Sequence, residues 1–264
     1  QQEVAHRDGR NLAAQRLAFP HADFRPGQRH LAESVFKAVS TGRCLMAQAP
    51  TGIGKTLGTL FPMLKALAPQ QLDKVFFLTA KTPGRKLALD AAQVIIARAD
   101  APPLRVLEMI ARDKACEHPD KACHGESCPL ARGFYDRLPA ARQAASRLSL
   151  LDQSALREVA LAHEVCPYYL SQEMARWADV VVADYNYYFD FSALLFGLAQ
   201  ANHWNVAVLV DEAHNLVERG RQMYSANLDQ ATLNSVRKTA PEPLKRSLQR
   251  VNREWNALHD QQLS

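Results

Sequence analysis

A glycine-rich turn between a short apolar run and a helical segment constrains this chain more than any other feature. Residues 49–56 read Ala-Pro-Thr-Gly-Ile-Gly-Lys-Thr, a phosphate-binding loop pattern in which alanine replaces the usual first glycine. Gly52 and Gly54 let the backbone turn tightly, so that its N–H groups and the following helix N-terminus point at phosphate oxygens. The pattern therefore predicts a strand, a phosphate loop and a helix in succession.

The side chains of this turn have separate expected roles. Lys55 is predicted to reach the β and γ phosphates of ATP, and the Thr56 hydroxyl is predicted to bind Mg²⁺. The alternative is a glycine turn with a chance lysine. The predicted ATP-binding loop comprises Thr51, Gly52, Ile53, Gly54, Lys55 and Thr56.

A second motif, Asp-Glu-Ala-His at 211–214, directly follows the apolar run 206–210. A carboxylate at a strand end can hold Mg²⁺ through water, so Asp211 is the predicted metal ligand, and Glu212 is predicted to orient and deprotonate the attacking water. These roles require that folding bring Lys55 and the acidic pair to neighbouring strand tips.

Strand-like and helical segments alternate along much of the chain. The predicted helices around the turn include 28–40 and 85–98, and continuous apolar runs of this kind are typical of central parallel strands. The pattern predicts an α/β fold, a parallel sheet with helices on both faces. The predicted strands are 44–47, 75–79, 104–109, 180–183 and 206–210.

Four of the five cysteines lie in one stretch, whereas Cys44 lies alone in a predicted strand. In a reducing cytosol such a group more often holds metal than disulfides, and the missing C-x2-C pairs make an ordinary zinc ribbon less attractive. Zinc binding, or burial of some thiols as small hydrophobes, remains an alternative. The stretch 111–165 carries no strand signal and is predicted to be an inserted helical domain. The grouped cysteines are Cys116, Cys123, Cys128 and Cys166.

These motifs together resemble the XPD/DinG-like helicases of superfamily 2. The strings APTGIGKT and VDEAH are similar to that superfamily's motifs I and II, and the cysteines lie between them. The resemblance covers about residues 24–224. It implies a RecA-like fold, a 4Fe-4S cluster on the four grouped cysteines, and ATP hydrolysis that drives 5′-to-3′ movement along single-stranded or forked DNA.

The resemblance also implies roles for individual side chains. In the string Phe-Arg-Pro-Gly-Gln at 24–28, Gln28 would recognise adenine, and Arg25 is a second candidate. Gln28 at a helix start could equally be a solvated residue. His214 would link the state of the nucleotide to DNA.

The segment after the predicted strand 75–79 corresponds to the superfamily motif that contacts the nucleic-acid backbone. Lys81, Thr82 and Arg85 are predicted to contact DNA phosphates, and Tyr185 is predicted to be a stacking platform for bases. The alternatives are a solvated helix face for Arg85 and a core position with one wet edge for the tyrosine.

The expected domain order is a RecA-like part at 1–110, the iron-sulfur insert at 111–170, the rest of the ATPase domain at 171–224 and the start of a helical arch at 225–264. We expect a truncated helicase that binds ATP weakly and unwinds little by itself. Two rival functions are another P-loop ATPase with a zinc module and a non-catalytic DNA-binding regulatory fragment.

Charge and hydropathy exclude little but agree with this prediction. A net charge of +5 and a pI near 9.0 favour polyanions without reaching the density of an architectural DNA binder. The longest apolar runs are too short to cross a bilayer, which predicts a cytoplasmic protein without membrane contact. The sequence leaves the oligomeric state open, with a monomer as the expectation.

Overall fold

Five parallel strands form one sheet in the order β3-β2-β4-β1-β5 in the computed structural model, which describes residues 2–263. The predicted α/β class and the parallel sheet are confirmed. The strands are β1 Lys74–Thr79, β2 Val106–Glu108, β3 Leu150–Leu151, β4 Val180–Asp184 and β5 Val206–Val210.

Helices connect the strands and continue beyond the last one. The first eight are α1 Gln2–Arg16, α2 Gln28–Ser40, α3 Lys55–Ala66, α4 Thr82–Ile96, α5 Arg112–Ala115, α6 Phe134–Ala145, α7 Gln153–Ala162 and α8 Pro167–Met174. The remainder are α9 Asn186–Phe189, α10 Leu194–Ala201, α11 Asn215–Met223, α12 Gln230–Thr239 and α13 Glu242–Leu263.

Alternate side chains of the central strands enter two apolar cores, one on each face of the sheet. In β1, Val75 and Phe77 pack with residues of α2, α3 and α4, whereas Phe76 and Leu78 pack with residues of α6, α7 and α8. Because side chains of a strand alternate between faces, a strand covered on both sides must be apolar throughout. The continuous apolar runs in the sequence reflect this arrangement.

The predicted strand at 44–47 does not form. Residues 43–50 contain neither helix nor strand, and the side chains of Leu45 and Met46 are 40% and 93% exposed. The run lies between Gly42, whose φ is 63°, and Pro50, which has no N–H to donate to a sheet. Apolar composition over four residues was therefore not enough to specify pairing.

The stretch 111–165, predicted to be a helical domain without strands, contributes β3 to the edge of the sheet. Leu151 is buried, and α6 and α7 add Ala141, Ala145 and Leu156 to the same core as Phe76. The contacts place this stretch inside one compact unit that ends at Met223. The stretch 111–165 therefore packs directly against the sheet and extends it by one strand.

The second compact unit begins at Tyr224 and consists of α12 and α13. Leu233 of α12 is buried, and Asp229 caps the same helix by accepting a hydrogen bond from the N–H of Thr232 at 2.7 Å. None of the helices described between residues 2 and 263 has the length and apolarity that a bilayer crossing requires.

A buried ion network attaches α1 to the amino ends of the strands. Arg10 is 2% exposed and donates to Asp179 Oδ1 at 2.8 Å and to the carbonyl of Leu72 at 3.0 Å. The other oxygen of Asp179 lies 2.9 Å from His6 Nε2 and accepts from the N–H of Arg105. Burial alone would raise the pKa of Asp179, but the hydrogen bond to His6 and the charge of Arg10 outweigh it and lower that pKa.

Lys74 extends the same network at the start of β1. Its ammonium group donates to the carbonyls of Arg176 and Ala178 and lies 4.4 Å from the ring centroid of Trp204. Burial lowers the pKa of Lys74 to about 8, because removal of water disfavours the charged form. The charged side chains at the amino edge of the sheet are therefore buried and excluded from water.

Candidate functional site

The phosphate-loop lysine and the acidic pair meet at the carboxyl edge of the sheet. Lys55 Nζ lies 3.0 Å from Glu212 Oε1, although 157 positions separate the two residues. Asp211 directly follows β5, and its N–H donates to the carbonyl of Leu78 in β1 at 2.8 Å. The predicted approach of Lys55 to the acidic pair is confirmed, but only the acidic pair follows a strand, because no strand forms at 44–47.

The turn before Lys55 has the backbone geometry of a phosphate cradle. Gly52 and Gly54 have φ values of 88° and 82°, in the left-handed region that glycine enters without steric cost. Gly54 is the N-cap of α3 and offers no side chain to the first N–H groups of the helix. These N–H groups are therefore available to an anion.

Arg25 and Gln28 brace this turn from outside. The amide nitrogen of Gln28 donates to the carbonyl of Gly54 at 3.0 Å, and its oxygen accepts from the N–H of Arg25 at 3.0 Å. The Arg25 guanidinium donates to the carbonyl of Gly52 at 2.8 Å. Gln28 is only 2% exposed, so the alternative of a solvated residue is wrong, whereas adenine recognition stays a prediction.

The two carboxylates of the acidic pair have opposite electrostatic environments. Burial raises the pKa of Asp211, and the neighbouring charge of Glu212 adds to this rise. The hydrogen bond and charge of Lys55 lower the pKa of Glu212. His214, with a side chain 73% exposed, places Nδ1 3.4 Å from the second oxygen of Glu212. Glu212 is therefore the more strongly ionised member of the pair.

Gly84 is a site residue that the sequence did not single out. A Cβ atom at this position would lie 2.2 Å from Thr79 Oγ1 and 3.3 Å from Asp211 Oδ2. Only glycine therefore lets the start of α4 approach the metal-ligand candidate so closely. The Pro-Gly pair at 83–84, directly before the predicted helix 85–98, was the available signal.

Tyr185 is not a stacking platform for bases, contrary to the prediction. Its ring is 0% exposed, and the single proton of its hydroxyl is shared between the carbonyl of Asp211, the nearer acceptor, and the carbonyl of Glu212. Burial and the nearby charges of Asp211 and Glu212 raise its pKa to about 12, so the hydroxyl keeps its proton. The sequence did not reveal that the turn after β5 covers the ring.

Arg85 is also unavailable for the predicted contact with DNA phosphates. It is 6% exposed, and its Nε lies 3.3 Å from Glu108 Oε1 in a buried ion pair. Lys81 and Thr82, in contrast, are exposed at the start of α4. The positive charge of Lys81 helps to lower the pKa of Glu212, so this lysine lies near the acidic pair.

The four grouped cysteines lie at the end of α5, in the loop before α6 and at the start of α8. Cys166 is the N-cap of this helix, and its pKa is raised by burial and further by the charges of Cys116 and Cys128. The pKa of Tyr169 is raised by burial and by the charges of Cys123 and Cys166. Within residues 2–263, however, no three or more Cys, His, Asp or Glu side chains have metal-ligand geometry.

A cavity of about 510 Å³ opens beside the carboxyl ends of β2 and β4. Four of its fourteen lining residues are basic, and two, Asp184 and Asp190, are acidic. Arg219 is paired with Asp184 at 2.6 Å. The basic residues in this wall are Arg85, Arg112, Lys114 and Arg219.

Comparison with known proteins agrees with this geometry. Residues 29–151 match the DEAD/DEAH box helicase family, and residues 103–233 match the DEAD_2 family. A regulator of telomere elongation helicase 1 homolog from Anopheles gambiae is 30% identical over 139 residues, which make up 47% of this chain and 14% of that protein.

The general transcription and DNA repair factor IIH helicase subunit XPD of Dictyostelium discoideum is 21% identical over 249 residues, covering 83% of this chain and 31% of the relative. The chain thus spans less than a third of these relatives. Among solved structures, a truncated XPD superposes with a TM-score of 0.55 at 19% identity, covering 84% of this chain and 63% of that one. The two family matches together run from residue 29 to residue 233, and with the XPD relative they support an XPD-like superfamily 2 helicase.

Proposed function

We propose that this chain carries the nucleotide site of an ATP-dependent DNA helicase and couples ATP hydrolysis to 5′-to-3′ movement along single-stranded or forked DNA. The observation that carries the proposal is the ion pair of 3.0 Å between Lys55 and Glu212 beside a glycine cradle. The helicase families that match residues 29–151 and 103–233 support the same function.

Each residue of the site has a chemical task in this proposal. Lys55 binds the phosphates, the α3 N-terminus holds their oxygens, and Thr56 and Asp211 hold Mg²⁺. Mg²⁺, when bound, neutralises charge that develops on the phosphates. Glu212 accepts a proton from the attacking water, and its low pKa keeps it ionised for that task. His214 contacts Glu212 and is positioned to report the nucleotide state to DNA.

Two exposed residues are the proposed contacts to the DNA backbone. Lys81 and Thr82 lie at the start of α4, and Lys81 is close enough to the acidic pair to lower the pKa of Glu212. Phosphate contacts from an ammonium and a hydroxyl group position a strand without reading its sequence. A contact at this place would bring DNA next to the site of hydrolysis.

We further propose that Cys116, Cys123, Cys128 and Cys166 hold a 4Fe-4S cluster. Four thiolates are the ligand set that such a cluster takes, and the DEAD_2 match covers all four cysteines, although the thiols of the described residues are not gathered into metal-ligand geometry. The cluster, when bound, would cross-link the loop before α6 to α8. Cytoplasmic location and a monomeric state remain predictions.

The nucleotide site is tested by ATP hydrolysis with and without single-stranded DNA. Lys55→Ala and Glu212→Gln are each expected to reduce kcat at least about 100-fold, because each removes a group that acts on the transferring phosphate or on water. Lys65→Ala is a matched control on the same helix and should retain activity. Full hydrolysis by Lys55→Ala would overturn the proposed function.

The cluster is tested by iron, acid-labile sulfide and the visible spectrum of protein purified without oxygen. Cys128→Ser should lose iron and visible absorption, whereas Cys44→Ser should retain both, because Cys44 lies outside the group. Zinc without sulfide would instead support the rival P-loop ATPase with a zinc module.

A further inference from the structure

The acidic pair contains a residue in an unusual backbone conformation. Glu212 has a φ of 52°, in the left-handed region that a non-glycine side chain rarely enters. Such a conformation persists only when its surroundings fix it, and it is common at functional sites. The direction of the Glu212 carboxylate therefore depends on the groups that hold this turn.

Three donors converge on the carbonyl of Glu212. The Tyr185 hydroxyl donates to it at 3.0 Å, and the backbone N–H and side-chain amide of Asn215 each donate to it at 3.0 Å. The carbonyl of Asp211 is the nearer acceptor of the Tyr185 hydroxyl, so its single proton is shared between the two carbonyls. Tyr185 is thus the residue outside the turn that bridges both carbonyls of the acidic pair.

Tyr185 cannot move easily away from this position. Its ring is fully buried in the core that contains Leu78 and Ala183, directly after β4. The flanking Asp184 accepts from Arg219 of α11 at 2.6 Å, and Arg219 also donates to Asn186 at 2.7 Å. The loop after β4 and the helix after the acidic pair are therefore tied together on both sides of Tyr185.

We propose that the Tyr185 hydroxyl is a positioning group for ATP hydrolysis, which fixes the left-handed turn at Glu212 and so aims its carboxylate. The inference rests on the proposed function and adds to it a residue that touches no substrate. Its action is indirect, through the two carbonyls. ATP binding depends on Lys55 and the glycine cradle, which Tyr185 does not contact among the hydrogen bonds of the described residues.

Tyr185→Phe removes the hydroxyl and keeps the buried ring. We expect kcat for ATP hydrolysis to fall about tenfold, because a small misplacement of a catalytic group is costly, while KM for ATP changes less than about twofold. Tyr188→Phe is the matched control. Tyr188 lies in the same loop as Tyr185, and its ring packs against Phe76 and Phe196. Its variant should keep both kcat and KM.

A double-mutant cycle separates positioning from a general loss of structure. In the Glu212→Gln background, Tyr185→Phe should cause no further fall in kcat, because its effect passes through the missing carboxylate. If the fold losses in kcat of the two single variants multiply in the double variant, the inference is overturned. Asn215→Ala, which removes a second donor to the same carbonyl, should lower kcat with the same unchanged KM and serves if Tyr185→Phe does not fold.

The outcomes also separate this inference from the proposed function. Activity that survives Lys55→Ala would reject the proposed function. Activity that Lys55→Ala abolishes but Tyr185→Phe leaves at the original kcat would reject only the positioning role.

Discussion

The two edges of the sheet hold charged residues in opposite ways. At the amino edge, Arg10, Asp179 and Lys74 are buried, and each has several partners. At the carboxyl edge, the side chains of Lys55 and Glu212 are 34% and 47% exposed and hold each other by a single hydrogen bond. The amino edge therefore stabilises the fold, whereas the carboxyl edge keeps its charges accessible to a substrate.

The largest effect on stability is expected from Arg10→Ala. It leaves the buried carboxylate of Asp179 without its cation, which should lower the free energy of unfolding by about 3–5 kcal/mol. Arg7→Ala on the same helix is the control, because Arg7 is 53% exposed and 3.9 Å from Asp73, and it should cost at most about 1 kcal/mol. Urea unfolding measures both, and equal losses would contradict the comparison.

The second effect is a pH dependence caused by Lys74. Its pKa is about 8 in the folded chain and 10.5 as the reference value, so between these values the unfolded chain binds more protons. The free energy of unfolding should therefore rise by about 2–3 kcal/mol from pH 8 to pH 10.

Lys74→Met should remove this rise, which urea unfolding at several pH values would show. Above pH 10 the raised pKa of Tyr185 acts in the opposite direction, because the unfolded chain ionises its tyrosine first. A wild-type stability that falls steadily from pH 8 would show that Lys74 is not held as a buried charge.

The third effect concerns the carboxyl edge. Gly84→Ala should lower the free energy of unfolding by about 1–3 kcal/mol, because the new Cβ overlaps Thr79 Oγ1, and it should reduce ATP hydrolysis by displacing Asp211. Gly220→Ala in α11 is the control. Nothing lies within 4 Å of its Cβ position, so it should not destabilise the chain.

The smallest effect on stability is expected at the residue most important for hydrolysis. Lys55→Met removes a solvent-accessible ion pair and should change the free energy of unfolding by at most about 1 kcal/mol. Thermal unfolding and ATP hydrolysis of the same preparation test this separation. A loss of stability as large as that of Arg10→Ala would erase the difference between the two edges.

The meeting of Lys55 with Glu212 could be predicted from the two nucleotide-binding motifs. The acidic pair follows strand β5 at the carboxyl edge of the sheet, whereas the run before Lys55 forms no strand, so the argument from parallel strands holds only for the acidic pair. The burial of Gln28 and of Arg85 could not be predicted in the same way. Each depends on partners 23 or more positions away that local periodicity does not identify.

Tyr185 and the segment 44–47 show the same limit from two sides. An aromatic residue after a strand can be exposed to solvent or buried. For Tyr185 the position of the turn at 211–212 decides between the two. The apolar run at 44–47 has strand composition, but pairing requires a neighbour in register, which composition does not provide.

The ion pair between Lys55 and Glu212 makes nucleotide entry an exchange reaction. An incoming triphosphate and the glutamate compete for one ammonium group, so part of the attraction between lysine and phosphate is offset by separation from the carboxylate. The same exchange frees Glu212 from its cation at the moment when a phosphate arrives. The basicity of Glu212 would then rise only when a triphosphate has taken its place on Lys55.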